Sequence, residues 1–200
     1  MKRVKEISQQ TGKFSALYED ELLMLPDVSF TPCFIRCENV SLKYGVNGCG
    51  PYSNLKQVVE SIVSTTPGHT PLYDDTEEIK LYMLPWLNLN PSKEFRIFVY
   101  KGNITAISQQ NLYNVYEELQ EFIKAYVAII IVHFNSEVKC KIKQDSYVYD
   151  FTILENNKPY FIELNSFGKG YASGSALFHW LIDEEILYNE NGDIHVRFTI

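Results

Sequence analysis

Two carboxylates near the end of the chain, Asp150 and Glu163, have a spacing that suits metal chemistry. Strand-like runs from Tyr147 to Leu154 and from Tyr160 to Leu164 flank Asn156-Asn157, a dipeptide typical of a tight hairpin turn. A two-residue loop at that dipeptide places Asp150 directly opposite Glu163. Facing carboxylates on a sheet repel one another, and a bound cation reverses the sign of that interaction.

The same sheet face is predicted to carry an amide. Because side chains alternate along a strand, Asn165 shares the face of Asp150 and Glu163. Apolar or neutral residues complete this face: Val148, Thr152, Leu154 and Phe161. The opposite face is predicted to be core: Tyr147, Tyr149, Phe151, Ile153, Tyr160, Ile162 and Leu164.

Carboxylate and amide oxygens suit Mg²⁺, which keeps bound waters and takes further oxygens from phosphates. The pattern therefore predicts a magnesium site made by Asp150, Glu163 and Asn165. The alternative is a solvated sheet face whose register is slipped by one residue.

A second predicted hairpin supplies a cation. Glu94 and Arg96 alternate with apolar residues and so share one face, and a loop at Gly102-Asn103 would place Arg96 opposite Gln109. An arginine on a rigid strand offers a planar fork of donors to a phosphate or an acyl phosphate. The alternative is a structural ion pair between Glu94 and Arg96 at the surface.

Two loops add basic residues. Arg36 and Lys43 precede the glycine-bearing loop 44–50, whose backbone amides could cradle a phosphate, although it lacks the spacing of a P-loop. The loop 166–175 is small and polar, contains Lys169, and could close over a substrate or a transferred phosphate. The alternative for each loop is an ordinary connection.

The elements that must position these side chains alternate between strands and helices. Helical spacing of apolar residues predicts helices over 54–65, 112–133 and 176–187 and a short helix over Glu19–Leu25. Strands are predicted over 32–37, 79–84, 94–100, 104–109, 147–154, 160–164 and 194–200. This mixture indicates an α+β protein with largely antiparallel sheets.

Composition limits the class of protein. The chain has 200 residues, 46% of them hydrophobic, and a net charge of −7, so we expect one domain or two packed lobes that do not bind nucleic acid over the whole surface. The most apolar stretch, 125–134, is too short to span a bilayer, and no secretory signal follows Met1. We therefore expect a cytoplasmic protein with no membrane association.

The four cysteines form no CxxC pair. Cys33, Cys37 and Cys49 with His69 could be drawn as a zinc site. We favour ordinary reduced cysteines, because Cys33 and Cys37 flank a strand-like run.

Several segments resemble known families. The run Lys93-Glu94-Phe95-Arg96-Ile97-Phe98-Val99, followed by Ile107-Ser108-Gln109-Gln110, resembles the cell division cycle protein 123 family, as does 86–91. The runs 149–151, 161–167 and 174–180 also resemble the compact, RNA-ligase-like ATP-grasp clade of viruses and phages.

This resemblance implies an ATP-grasp fold: two small α+β lobes, 1–80 and 81–200, with an ATP cleft between them. ATP and Mg²⁺ are the implied cofactors, with Asp150, Glu163 and Asn165 as magnesium ligands. The other implied ATP contacts are the phosphate-binding residues Arg36, Lys43, Arg96 and Lys80, with Lys169 as the alternative second lysine, and the adenine hinge Tyr82, Met83 and Leu84.

Two functions follow from the resemblance. The first is an ATP-dependent ligase with Arg96 and Lys169 as catalytic residues, which either activates a carboxylate or performs RNA-ligase-like nucleotidyl transfer. Its acceptor would be an RNA end, a peptide or a protein. The second is a non-catalytic, ATP-controlled factor that assembles translation initiation factor 2. RNA binding without chemistry is a third hypothesis, and the sequence leaves the acceptor open.

Overall fold

The computed structural model of the chain divides into two compact units, residues 1–88 and 89–200. The structure describes Glu6 and the ranges 24–38, 40–66, 68–73, 77–171 and 173–200. The short helix predicted over Glu19–Leu25 lies almost wholly outside the described residues.

The first unit contains a three-stranded antiparallel sheet in the order β2-β1-β3. Its strands are β1 (Ser29–Cys37), β2 (Tyr52–Asn54) and β3 (Leu81–Pro85), and the helix α1 (Leu55–Ser64) follows β2 directly. Alternate residues of β1 pack against one face of α1 to form the core: Cys33, Ile35, Cys37, Leu42, Tyr52, Val58, Ile62, Val63 and Leu72.

The predicted strand at 32–37 and helix at 54–65 are confirmed. The predicted lobe boundary at residue 80 differs from the observed division after Asn88. The reason is that β3 pairs along its whole length with β1, from Leu81 opposite Cys37 to Pro85 opposite Cys33, and so belongs to the first unit.

The side chain of Asn54 begins α1 by accepting a hydrogen bond of 2.9 Å from the amide of Gln57. Because this cap satisfies an amide that has no partner within the helix, Asn54→Ala should lower the free energy of unfolding by about 1 kcal/mol. Urea denaturation measures the change. Asn54→Asp, which keeps an acceptor oxygen, should stay near wild type; equal losses in both variants would contradict a capping role.

The second unit contains a five-stranded sheet in the order β7-β6-β4-β5-β8. The strands are β4 (Glu94–Tyr100), β5 (Asn103–Gln109), β6 (Tyr147–Ile153), β7 (Pro159–Ser166) and β8 (His195–Arg197). Only β8 is parallel to its neighbour. The predicted α+β class with mostly antiparallel sheets is confirmed.

One face of this sheet is covered by the helix α2 (Glu117–His133), which ends in one π-helical turn at Phe134–Val138. Apolar residues of α2 and the sheet form the larger core: Phe95, Ile97, Val99, Ile107, Leu119, Tyr126, Ile130, Phe134, Tyr149 and Phe151. No helix in the described part of the chain is long and apolar enough to cross a bilayer.

Helix α2 begins at Glu117, five residues later than the predicted start at Leu112. Side chains from β5 and from the residues that follow β8 donate hydrogen bonds to the carbonyls that an earlier start would use. Gln109 Nε2 donates to the carbonyls of Asn111 and Asn114, and Thr199 Oγ1 donates to the carbonyl of Leu112. These bonds hold 111–116 in an irregular path.

The predicted helix over Ala176–Leu187 is largely wrong, because only α3 (Glu184–Leu187) is helical. Ala176 has a φ of 51°, a left-handed conformation that a right-handed helix excludes. The chain before α3 instead packs on the other face of the sheet, where it forms a second cluster of the unit: Phe98, Ala106, Val148, Phe178, Trp180 and Leu187.

Candidate functional site

The predicted pairing of the two carboxylates is confirmed, since Asp150 lies opposite Glu163 and Val148 lies opposite Asn165. The loop between the strands is not the predicted two residues, because Ile153 already pairs with Pro159. A β-bulge after Asp150 absorbs the difference, since it inserts one unpaired residue in β7.

Because of the bulge, two residues of β7 lie on the opposite face of the sheet from the one predicted. Beyond it, Phe151 lies opposite Phe161 and Thr152 lies opposite Tyr160. Phe161 therefore packs with the core, where it stacks on Tyr149 at 5.5 Å between ring centroids. Tyr160 shares the face of Thr152 and Asp150, opposite to the prediction.

The first hairpin also has a different register. Its loop is Lys101-Gly102, with φ of 47° and 73°, and a bulge between Phe98 and Val99 shifts the strands. Positive φ at both loop residues gives a turn whose twist matches that of the strands. Arg96 consequently lies opposite Ser108, and the predicted pairing of Arg96 with Gln109 is wrong.

These registers place five residues side by side across the whole sheet. Asp150 pairs with Glu163 on one side and with Arg96 on the other, Arg96 pairs with Ser108, and Ser108 pairs with Arg197. We call these five residues the transverse row. It runs from two acids through an arginine and a serine to a second arginine.

Arg96 and Asp150 form a buried, two-pronged ion pair at the centre of the row. Arg96 Nε donates to Asp150 Oδ1 at 2.8 Å, and Nη2 donates to Oδ2 at 2.7 Å. The side chains are 12% and 7% exposed. Asn165 Nδ2 lies 3.4 Å from Asp150 Oδ2. The alternative of a Glu94–Arg96 surface pair is therefore wrong.

The charges of the row act on one another. Burial alone would lower the pKa of Arg96, but the hydrogen-bonded carboxylate of Asp150, with the charge of Glu163 next to it, raises that pKa above its ordinary value. Arg96 is thus held as a cation, and its fork fixes the orientation of the Asp150 carboxylate.

Glu94 is a third acid on this face of the sheet, opposite Thr152. Burial raises the pKa of Glu94, and the negative charge of Asp150 raises it further. The folded protein therefore holds the Glu94 proton to higher pH than the unfolded chain does. By linkage, ionised Glu94 lowers stability once the pH rises above its ordinary value of 4.5.

We expect Glu94→Gln to raise the melting temperature at pH 7 by a few degrees at most. The difference should vanish below a pH of about 4.5, where Glu94 is protonated in both the folded and the unfolded states. Thermal melts between pH 4 and pH 8 test this. Glu121→Gln on the exposed face of α2 is the control and should change neither value; a pH-independent gain in Glu94→Gln would contradict the electrostatic explanation.

The segment Gly174–Asp183, which we call the overlying segment, is held against the transverse row by hydrogen bonds. Arg96 Nη1 donates to the carbonyl of Gly174 at 2.9 Å, and the amide of Leu177 donates to Ser108 Oγ at 3.0 Å. Arg197 holds the carbonyl of Leu177 and forms a fork with Asp183. Ser108 and Arg197 were not predicted as site residues.

Lys169, the predicted catalytic lysine, precedes this segment. Its Nζ lies 3.7 Å from Glu184 Oε1, and both side chains are more than half exposed. The structure does not bring Lys169 into contact with the transverse row, so its role in phosphate transfer stays a prediction.

The predicted ATP contacts of the first unit lie on β1, on β3 and beside them. Arg36 pairs with Tyr82 across these strands, and Met83 and Leu84 continue β3 with exposed side chains. Lys80 Nζ lies 3.9 Å from Glu38 Oε1. Lys43 Nζ lies over the ring of Tyr44 at 5.4 Å. These six residues stay predictions as ATP contacts.

The glycine-bearing loop 44–50 packs on α1, which argues against its use as a phosphate cradle. The amides of Val46 and Asn47 donate to Ser64 Oγ and Ser61 Oγ. Gly45 is required by close packing, since a Cβ at this position would lie 2.4 Å from the carbonyl oxygen of Ser61.

Cys33 and Cys37 lie buried in the apolar core of the first unit. Burial raises the pKa of Cys37 to about 11, which outweighs the lowering effect of Arg36. This thiol is therefore protonated at neutral pH, whereas a zinc ligand is a thiolate.

Within the described ranges, no group of three or more His, Cys, Asp or Glu side chains could hold a metal ion. The transverse row offers two carboxylates, with the amide of Asn165 beside them. This donor set fits Mg²⁺, which binds through one or two carboxylates together with phosphate oxygens and water.

Comparisons with known proteins agree with this fold and with the predicted resemblance to the cell division cycle protein 123 family. A family model described as D123 matches residues 54–199. Cell division cycle protein 123 of Candida glabrata is 30% identical over 106 residues, which are 52% of this chain and 29% of that protein. The translation initiation factor eIF2 assembly protein of Candida albicans is 28% identical over 177 residues, 81% of this chain and 47% of that protein.

Among solved structures, Cdc123 from Schizosaccharomyces pombe superposes with a TM-score of 0.64 at 19% identity. The match covers 82% of this chain and 71% of that chain. The likeness supports the α+β architecture described above.

The chain spans less than half the length of these curated relatives. The D123 family model nevertheless covers well over half of this chain, including every strand of the second unit and the whole transverse row. The chain therefore belongs to the D123 family.

Proposed function

We propose that this chain binds ATP with Mg²⁺ through the acidic end of the transverse row and acts as an ATP-controlled assembly factor for translation initiation factor 2. The observation that carries the ligand site is the buried Arg96–Asp150 fork with Glu163 directly beside it. Two facing carboxylates repel one another, and the Mg²⁺ that accompanies a polyphosphate would offset their charge.

The residues of the row have different roles in the proposed ligand site. Asp150 and Glu163, with the amide of Asn165 beside them, would hold Mg²⁺, which when bound neutralises phosphate charge. Arg96 keeps the Asp150 carboxylate oriented. Its Nη1 edge is bonded to a neutral carbonyl, and this edge can donate to a phosphate oxygen.

The assembly role is supported by the names of the relatives, which include a translation initiation factor eIF2 assembly protein. None of the relatives reported above is named as a ligase, so the ATP-dependent ligase and the RNA-ligase-like clade gain no support from them. The ATP-grasp assignment, ATP itself and the initiation factor as partner are all parts of the proposal.

The test uses the full chain in three measurements. Calorimetric titration with ATP in MgCl₂ and in EDTA measures magnesium-dependent affinity, and chromatography of the same samples detects ADP or AMP. Binding to separately purified subunits of translation initiation factor 2 is then measured with and without Mg-ATP. We expect magnesium-dependent ATP binding without turnover, and capture of a subunit that Mg-ATP strengthens.

Other results would overturn the proposal in distinct ways. AMP formation in the presence of nicked RNA would support ligase chemistry. Salt-dependent RNA binding that is indifferent to ATP would support an RNA-binding protein. Absence of magnesium-dependent ATP binding would remove the ligand site.

A further inference from the structure

Arg96 is shared between the candidate ligand site and the overlying segment. Its Nε and Nη2 are bonded to the two oxygens of Asp150, while its Nη1 is bonded to the carbonyl of Gly174. Because the guanidinium is one rigid plane, a movement of Arg96 towards either partner changes its bonds to the other.

The attachment at Gly174 is close. A Cβ built on Gly174 would lie 3.3 Å from Arg96 Nη1, so the backbone approaches the guanidinium directly. The next contact of the segment with the sheet is the hydrogen bond from the amide of Leu177 to Ser108 Oγ on β5. It involves no atom of Asp150 or Arg96. The two attachments can therefore be altered separately.

We propose that Arg96 is a positioning residue that couples ligand binding at Asp150 and Glu163 to release of the overlying segment; this inference rests on the function proposed above. The Nη1 edge has a neutral carbonyl as its acceptor, and a phosphate oxygen is a stronger, charged acceptor. A polyphosphate at the acidic end of the row and the carbonyl of Gly174 thus compete for one donor edge.

Competition of this kind must be reciprocal. If ligand binding weakens the attachment of the segment, then a change that weakens the attachment elsewhere must strengthen ligand binding. Ser108→Ala removes the acceptor of the Leu177 amide and leaves the Arg96–Asp150 fork intact. We expect Ser108→Ala to bind Mg-ATP roughly fivefold more tightly, at the low end of coupling between sites.

Hydrogen exchange measured by mass spectrometry on the full chain tests the coupling directly. Saturating Mg-ATP should accelerate exchange in peptides that cover Gly174–Asp183 of the wild type by several-fold. Arg96→Lys should show fast exchange there without ligand, because a lysine cannot form the fork with Asp150 and also bond Gly174. Added Mg-ATP should then cause no further change. Peptides from α2 serve as the internal control and should exchange equally in all samples.

The outcomes separate this inference from the function on which it rests. Magnesium-dependent ATP binding with unchanged or slower exchange in the overlying segment would overturn the coupling and leave the proposed function standing. Weaker ATP binding by Ser108→Ala would also overturn it. A wild-type chain without magnesium-dependent ATP binding would overturn both. Because Ser108→Ala leaves the buried charges paired, it provides the test even if Arg96→Lys does not fold.

Discussion

Replacement of Asp150 by alanine is expected to lower the free energy of unfolding by about 3–5 kcal/mol, the usual loss when one partner of a buried ion pair is removed. The variant leaves the guanidinium of Arg96, only 12% exposed, without the carboxylate that binds it through two hydrogen bonds. Urea denaturation followed by circular dichroism measures the loss.

A double variant separates the cost of the unpaired charge from the value of the pair itself. Arg96→Met with Asp150→Leu removes both charges and keeps similar volume, and such replacements are often neutral in stability. We expect the double variant to recover most of the loss. Glu121→Ala on the exposed face of α2 is the control for loss of an acid. Wild-type stability of Asp150→Ala would contradict the buried pair.

Asp150→Ala is consequently an unsuitable probe of ligand binding, because it disturbs the fold as well as the site. The sequence does not reveal this. Residue types and alternation identify Asp150 and Arg96 separately, but their direct pairing depends on β4 lying next to β6, which are about 50 residues apart in the chain. Local pattern indicates the face of a strand; it does not indicate the neighbouring strand.

The predicted pairing of Asp150 with Glu163 is correct, but the prediction missed both the longer loop and the bulge. The loop from 154 to 158 is longer than the predicted dipeptide, and the bulge after Asp150 restores the predicted partner. Phe161 lies on the loop side of the bulge, so its predicted face is wrong. A strong hydrophobic preference explains this, because Phe161 gains a stacked partner in Tyr149 and burial in the core.

The overlying segment shows why helical spacing of apolar residues predicted a helix that does not form. The apolar residues from Ala176 to Leu187 have a helical pattern, but local side-chain hydrogen bonds and tertiary hydrogen bonds replace those of a helix. His179 Nδ1 accepts from the amides of Leu181 and Ile182, and the row binds Gly174 and Leu177. The anchoring residues Ser108 and Arg197 meet only through the parallel pairing of β8 with β5, which no local motif indicates.

Replacement of Glu163 by glutamine is the cleaner test of the ligand site. We expect magnesium-dependent ATP binding to weaken by at least roughly tenfold, because even residues that only support metal ligands typically contribute 10–100-fold to metal affinity. Stability should change little, since the substitution removes both the repulsion between Glu163 and Asp150 and the attraction between Glu163 and Arg96, and leaves the Arg96–Asp150 fork in place.

Calorimetric titration with ATP in MgCl₂ and in EDTA measures the effect of Glu163→Gln, and a thermal melt of the same sample checks the fold. Glu155→Gln, in the exposed loop between β6 and β7, is the matched control and should bind like wild type. Equal affinity of Glu163→Gln and wild type would exclude Glu163 as a magnesium ligand. Loss of affinity in MgCl₂ with no change in EDTA would place its carboxylate on the metal, because only a metal-dependent contact responds to chelation.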